Sequence, residues 1–412
     1  MRILQLCKKF PFPLKDGESI AVTHLSRALN ELGCEVTLLS MNTSKHYCEV
    51  SNLPADFNHY KEIHHVPIDN KVQLWGAFLN IFSEESYHIT RFLSSAFEKK
   101  LIQILSTQKF DVIQLETPIL SPYIPVIRQH SNALIAMRSH NVEHEIWERM
   151  AENFSFTAIK WYLKNAARKL KKFELKHLNN YDLVLAITQR DLHILKQMGL
   201  SKPSTVIPIG LDVRDYPEDF SSFKNEPSLS FIGSLDWMPN QEGLRWFLEN
   251  VWDDLKKKYP KLTLHVAGRN TPEWVEKVKK EGVIIHGEVD DAVRFIQAHS
   301  IMVVPLFSGS GMRVKILEGM ALGKVVISTN LGLEGIDATD NHEVLIANNA
   351  DAFIHKISLC LENKTRMLQI GQNAAEFVTE NYDNLAIARK LILEYKNRFV
   401  GQGSLAKVLK ES

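Results

Sequence analysis

Cysteine is scarce in this chain: four in 412 residues, Cys7, Cys34, Cys48 and Cys360, with no C-x-x-C pair. Such spacing supplies neither a disulfide framework nor a thiolate metal site, and it fits a reducing compartment with buried free thiols. Long apolar runs are missing too. No stretch approaches the roughly 18 residues that read as a membrane-spanning helix. The opening MRILQLCKKFPFP breaks into lysines and prolines, its apolar stretch too short for a signal peptide. The expectation is a cytoplasmic protein, with the inner face of the membrane as a surface it could rest on. Neither sign of charge is in excess: 49 Lys+Arg against 48 Asp+Glu leave a formal net charge of +1, so no global field draws the chain to nucleic acid. G-x-G-x-x-G and the Walker pattern G-x-x-x-x-G-K-[ST] are both absent, which removes the main support for nicotinamide and P-loop chemistry.

What is present is an alternation. Short β-branched runs at 2–5, 35–39, 112–115, 134–137, 183–187 and 205–207 are separated by amphipathic stretches such as 19–32, which stops at Gly33. The pattern breaks over 208–227, a proline-containing polar stretch, and restarts with strand candidates at 229–232, 262–266, 283–285, 301–304 and 325–328. This βαβ rhythm predicts two doubly wound α/β domains, 1–210 and 228–383, joined by a linker at 211–227. A last helix is expected within 384–412. In open parallel sheets ligands bind beyond the carboxyl ends of the strands, and the glycine turns at Asp16-Gly17, Gly233-Ser234, Gly268-Arg269 and 308–311 all fall there.

The richest of these is FSGSGMRVKILEGMALGKVVIST, residues 307–329. Gly309 and Gly311 permit a tight turn. A helix is expected over 312–322, stopping at Gly323, with Val314, Leu317 and Ala321 inward and Arg313, Lys315 and Glu318 in its first turns. Cations at a helix N-terminus oppose the macrodipole by about 0.3–1 kcal/mol each, which points to an anion held between them and the free N–H groups. The competing reading is an exposed i, i+3 ion pair between Lys315 and Glu318. A second turn, Gly233-Ser234, would bring further backbone N–H groups, or be a plain strand-to-helix turn.

In RSHNVEHEIWERM, His140 falls at a strand end. His140 to His144 also matches H-x-x-E-H, a zinc-protease pattern, but that needs both histidines on one helix face. His144, Glu143 and Glu145 read better as the polar first turn of an exposed helix, and no metal is expected. The basic stretch WYLKNAARKLKKFELKHL is either a solvated helix face or one that lies on anionic lipid.

Taken in order, the Gly-Ser turn, LTLHVAGR, VIIHGEVDD, VVPLFSGSGMRVKILEGMALGKVVIST and GLEGI resemble the retaining nucleotide-sugar glycosyltransferases of family 4. The resemblance covers nearly all of 228–383 and is weaker in the first half. It implies the GT-B fold, two Rossmann-like domains facing across a deep cleft, with the final helix crossing back to the first. It implies transfer of a sugar from a nucleotide-diphosphate sugar to a glycan or lipid-linked acceptor, without a metal or other cofactor, in polysaccharide or glycoconjugate synthesis. Arg313 and Lys315 would neutralise the diphosphate, assisted by amides of Gly309, Ser310, Gly311 and Met312 and of Gly233 and Ser234. Glu318 would accept from the ribose hydroxyls, the turn near Val289 would hold the base, His140 would contact the transferring sugar, and Gly17 would let the first-domain loop approach the phosphate. Two departures stand out: Ser310 replaces the Glu common eight positions before Glu318, and LDWMPNQEG lacks the Arg and Lys usual after the Gly-Ser turn. A nucleotide-sugar epimerase, a sugar phosphorylase, or a non-catalytic nucleotide-sugar-binding protein are the competing classes.

Overall fold

The computed structural model describes residues 1–14, 17–54, 57–71, 83, 86–152, 157–309 and 311–401. The chain forms two compact units, Met1–Gly210 together with Ile387 onward, and Leu211–Ala386. Ser310 and Asp16 lie outside the described residues.

The first unit is built on a seven-stranded sheet: β1 (Arg2–Cys7), β2 (Glu35–Thr43), β3 (Glu62–Ile68), β4 (Val112–Leu115), β5 (Leu134–Ser139), β6 (Leu183–Ala186) and β7 (Ser204–Val206). Their order is β3-β2-β1-β4-β5-β6-β7, and every pairing is parallel. Sequence reading misses β3, whose EIHHVPI carries two histidines and a proline. It is an edge strand, half solvated, and so lacks the apolar run that marks the central ones.

The second unit repeats the plan with β8 (Ser228–Ile232), β9 (Thr263–Ala267), β10 (Val283–Gly287), β11 (Ile301–Val304), β12 (Val325–Ser328) and β13 (Leu345–Ile346), in the order β10-β9-β8-β11-β12-β13, again all parallel. Side chains alternate across a strand, and the alternation divides this core cleanly. Leu229, Phe231, Leu264, Val266, Ile301 and Val303 pack on one face with Leu244 and Phe247 of the helix Met238–Phe247. Met302, Val304 and Val326 pack on the other with Ile316, Leu317 and Met320 of the helix Val314–Ala321. Burial on both faces is why these strands read as near-continuous apolar runs.

Residues 211–227, expected as a linker, group with the second unit. Leu211 and Phe223 are buried in its core clusters, and Leu211 exchanges backbone bonds with Tyr382 and Asn384, 2.9 Å each. Prolines and polar residues hid this, because backbone hydrogen bonds leave no mark on composition. The last helix runs Asn384–Gly401, and its Ile387, Ala388, Leu391 and Tyr395 are buried while Leu393 is exposed. The Tyr395 hydroxyl donates to Gln114 Oε1 at the end of β4, 2.5 Å away.

Candidate active site

In both sheets the strand order reverses once, between β1 and β4 and between β8 and β11, and such switch points are where open α/β sheets bind ligands. The Gly233-Ser234 turn leaves β8 and the 305–311 loop leaves β11, so the two turns are neighbours by construction of the sheet.

Helix Val314–Ala321 starts two residues later than expected, with Arg313 as its N-cap. Val314 is only partly buried; Ile316, Leu317, Met320 and Ala321 face inward. Gly309 and Gly311 take φ of 101° and 86°, a region that favours glycine. A Cβ on Gly309 would also lie 2.9 Å from the Trp237 ring. The Arg313 guanidinium is buried over that same ring, 4.9 Å from its centroid, and Nη1 donates back to Gly311 O. The stretch LDWMPNQEG, which lacks cations of its own, therefore supplies an aromatic platform for a cation carried by the next loop.

Lys315 does not turn to Glu318. Its Nζ donates to Asn240 Oδ1 (2.9 Å) and to Ile232 O (3.2 Å), and lies 5.3 Å from the Phe231 ring centroid. A Cβ on Gly233 would sit 2.8 Å from Asn240 Nδ2 and 3.0 Å from Lys315 Nζ, so this glycine lets the β8 turn lie against the lysine. With only neutral ligands, Lys315 is pushed down to about 7, chiefly by burial, with Arg313 adding and Glu318 opposing. Burial pushes the Glu318 carboxyl up, against a hydrogen bond donated by the Tyr216 hydroxyl to Oε1 (3.1 Å) and the Lys315 charge. Lys315, a desolvated cation with Arg313 close by and only neutral hydrogen-bond acceptors on its Nζ, is an arrangement that an added anion relieves.

One of the two expected amides of the Gly233-Ser234 turn is already engaged. Gly233 N–H already donates to Ala267 O (3.2 Å) and Leu235 N–H to Arg269 O (2.8 Å), while Ser234 Oγ donates to Asp236 Oδ1 (2.5 Å). What the turn brings to Lys315 is a carbonyl and the Asn240 amide. Met312 packs partly buried beside the helix. Val289 shares an apolar cluster with Ile232 and Tyr216, which ties the expected base turn to the carboxylate of Glu318 through one tyrosine. Asn240, Trp237 and Tyr216 were not anticipated. Asn240 stands at the start of a helix, an ordinary place for an asparagine, and Tyr216 stands in the supposed linker.

In the first unit, His140 follows β5 directly, as expected of a strand-end residue. Its Nε2 bonds Glu116 Oε2 (3.0 Å), and its buried Nδ1 has no hydrogen-bond partner among the described residues. Glu116 is fully buried and accepts from Gln5 (2.6 Å) and Gln114 as well, with Arg138 3.7 Å away. Burial works to raise this carboxyl, but the His140 bond and the Arg138 charge outweigh it and hold it below the usual range. Glu116 was missed because a lone Glu after a short strand carries no motif.

His144 belongs elsewhere. Its Nδ1 bonds Glu174 Oε2 (2.6 Å), and that carboxylate also accepts the N–H groups of Glu143 (3.0 Å) and His144 (3.1 Å), capping the helix Glu143–Glu152. Glu143 and His144 are thus buried, not the exposed turn expected. His140 and His144 face different carboxylates and do not share a helix face, so the zinc-protease pattern has no geometry behind it. Gly17 opens the helix Gly17–Glu31, is exposed, and would have open space around a Cβ. Neither its φ nor its packing demands glycine.

Comparison with known proteins agrees with these observations. The family described as Glycosyltransferase Family 4 matches residues 16–215, and the one described as Glycosyl transferases group 1 matches residues 226–363. A Klebsiella pneumoniae protein described as an uncharacterised 44.6 kDa protein in the cps region is 26% identical over 312 residues, 72% of this chain and 76% of its own. An uncharacterised glycosyltransferase of Haemophilus influenzae is 21% identical, over 64% of this chain and 71% of its own. Among solved structures, Anabaena HepE in complex with UDP superposes with a TM-score of 0.65 at 15% identity, covering 96% of this chain and 100% of that one. With two parallel sheets of the Rossmann order and the two family matches falling one on each unit, the chain is a glycosyltransferase of the group 1/family 4 type with the GT-B fold.

Proposed function

We propose that the enzyme moves a sugar from a nucleoside-diphosphate sugar to an acceptor hydroxyl with retention at the anomeric carbon, without a metal. The observation that carries this is the cation pair at the start of a helix beside the β8 turn, Arg313 stacked on Trp237 and Lys315 bonded to the neutral Asn240 Oδ1 and Ile232 O. As the C1–O bond to the diphosphate breaks, negative charge grows on the leaving oxygen, and fixed cations aimed there lower the barrier. The acceptor oxygen bonds to C1 on the face the phosphate leaves, and its proton passes to the departing phosphate. No separate carboxylate base is required. Glu318 takes the ribose hydroxyls, the Val289 turn the base, and the loop amides of Gly309, Ser310, Gly311 and Met312 the phosphates. His140, held by Glu116, serves the transferring sugar, and Gly17 the phosphate side of the first unit. The UDP bound in the HepE structure supports a nucleotide donor, and the cps-region relative supports a polysaccharide product.

The test is thermal unfolding with UDP, GDP and ADP, with and without EDTA. A ligand at 100 times its Kd adds about 2.7 kcal/mol, so one nucleotide is expected to raise the melting temperature visibly, and EDTA to change nothing. No shift with any nucleotide would remove the donor site; a shift abolished by EDTA would remove the metal-free reading.

We also infer peripheral membrane contact through the helix Thr157–His177, where Ile159 and Trp161 are 43% and 57% exposed beside Lys160 and Lys164. Among the described residues no helix is long and apolar enough to cross a membrane. Co-sedimentation with vesicles containing phosphatidylglycerol is expected, reduced several-fold by Trp161→Ala; equal recovery on neutral vesicles, or none on either, would refute it.

A further inference from the structure

The stretch from Leu211 to Asp219 has the composition of a linker but is tied to the second unit bond by bond. Leu211 N–H donates to Tyr382 O (2.9 Å), Gln297 Nε2 to Pro217 O (3.2 Å), Asp219 N–H to Leu322 O (3.2 Å), and Lys324 Nζ to Asp219 O. Between these anchors the single turn Val213–Asp215 is capped by Asp212, which accepts from Arg214 N–H at 3.1 Å, and Tyr216 N–H closes on Val213 O at 3.1 Å. The backbone of Tyr216 is therefore fixed on both sides. Its ring packs in the cluster that holds Ile232 and Val289, and its hydroxyl donates to Glu318 Oε1 at 3.1 Å.

We infer that Tyr216 is a positioning and specificity residue of the nucleoside site, its ring continuing the apolar wall beside the base and its hydroxyl aiming the Glu318 carboxylate at the ribose, so that the site selects ribonucleotides over 2′-deoxyribonucleotides. The inference rests on the assignment of Glu318 to the ribose hydroxyls. A phenol donating to a carboxylate is a charge-assisted bond and fixes one oxygen. The other oxygen keeps its accepting capacity, and the rotamer freedom of a glutamate is lost before the ligand arrives rather than on binding. The bond also offsets part of the burial that disfavours the ionised carboxyl. A hydroxyl-binding site of this kind discriminates by leaving its buried acceptor unpaired when the ligand hydroxyl is missing.

The experiment is calorimetric titration of UDP and 2′-deoxyuridine 5′-diphosphate into wild type, Tyr216→Phe, Tyr216→Ala and Glu318→Gln. The guanosine or adenosine pair replaces these if that base gives the thermal stabilisation. The readout is the ratio of the two dissociation constants, which a merely structural weakening would leave unmoved. Wild type is expected to favour the ribonucleotide about tenfold or more, Tyr216→Phe to lower that preference roughly threefold or more, and Glu318→Gln to abolish it. Tyr216→Ala should in addition weaken both nucleotides. A wild-type ratio in Tyr216→Phe, with Glu318→Gln abolishing the preference, overturns the inference and leaves the Glu318 assignment standing. A wild-type ratio in both variants removes that assignment and the inference with it. Unaltered affinity for both nucleotides in Tyr216→Ala overturns the role of the ring.

Discussion

Lys315→Ala is expected to lower kcat by about 10²–10³, the scale seen when one preorganised donor to a developing anion is removed, while the ligand-free protein remains folded. The two halves of this expectation have one cause. Lys315 is a desolvated cation beside a second cation, and its ligands Asn240 Oδ1 and Ile232 O are neutral. Removing it costs the resting protein two hydrogen bonds but also relieves a buried charge, whereas in the proposed reaction it costs the transition state a charge aimed at the leaving phosphate. Near-normal turnover in a folded Lys315→Ala protein would end the role assigned to it. The same lysine gives a pH signature. It titrates at about 7 in the free protein, and a diphosphate beside it raises that value, so binding above pH 7 takes up a proton. Nucleotide affinity should then be flat below about pH 6 and fall as pH rises through 7 to 9. Calorimetry with Lys315→Ala as the control separates this from titration of the nucleotide itself, and parallel pH profiles for the two proteins would refute the coupling. In the absence of ligand the sign is opposite: the unfolded chain holds this proton up to its ordinary 10.5, so the folded state gains stability as pH climbs from 7 toward that value.

Gly243→Ala is expected to destabilise the second unit by about 3 kcal/mol, a fall in melting temperature of roughly 6–12 °C for a unit of this size, and to abolish nucleotide stabilisation with it. Gly243 lies on the buried side of the helix Met238–Phe247. A Cβ there would stand 1.9 Å from the carbonyl oxygen of Pro305, the residue that closes β11. That neighbour is backbone at the root of the 305–311 loop, so it cannot rotate aside as a flexible side chain would. The helix must lift, carrying Asn240 away from Lys315 and shifting Trp237, the residue before its first turn, under Arg313. Differential scanning calorimetry with and without nucleotide checks both parts. A wild-type melt would show that the helix and strand end accommodate each other freely.

The sequence by itself determined the architecture and pointed to the candidate site. Strands buried on both faces write long apolar runs, so the nine interior strands can be placed by eye, give or take their ends, and the edge strands β7 and β10 with them. The parallel order then puts the glycine turns that follow β8, β9 and β11 at a carboxyl edge. Arg313, Lys315 and Glu318 were legible because cations at a helix start contradict the local electrostatics unless something compensates them. Tertiary structure alone decided how those residues are held. Lys315 and Glu318 have the spacing of an ion pair yet bond Asn240 and Tyr216, 75 and 102 residues away in the chain. Glu116 reaches His140 across adjacent strands, and Glu174 claims the His144 that the motif would have given to zinc. Tyr216 came from a segment whose composition said linker. In each case the partner is set by which strand ends and helix starts the sheet order makes neighbours. Spacing along the chain records only contacts within one element, so it could mark the site residues and not their partners.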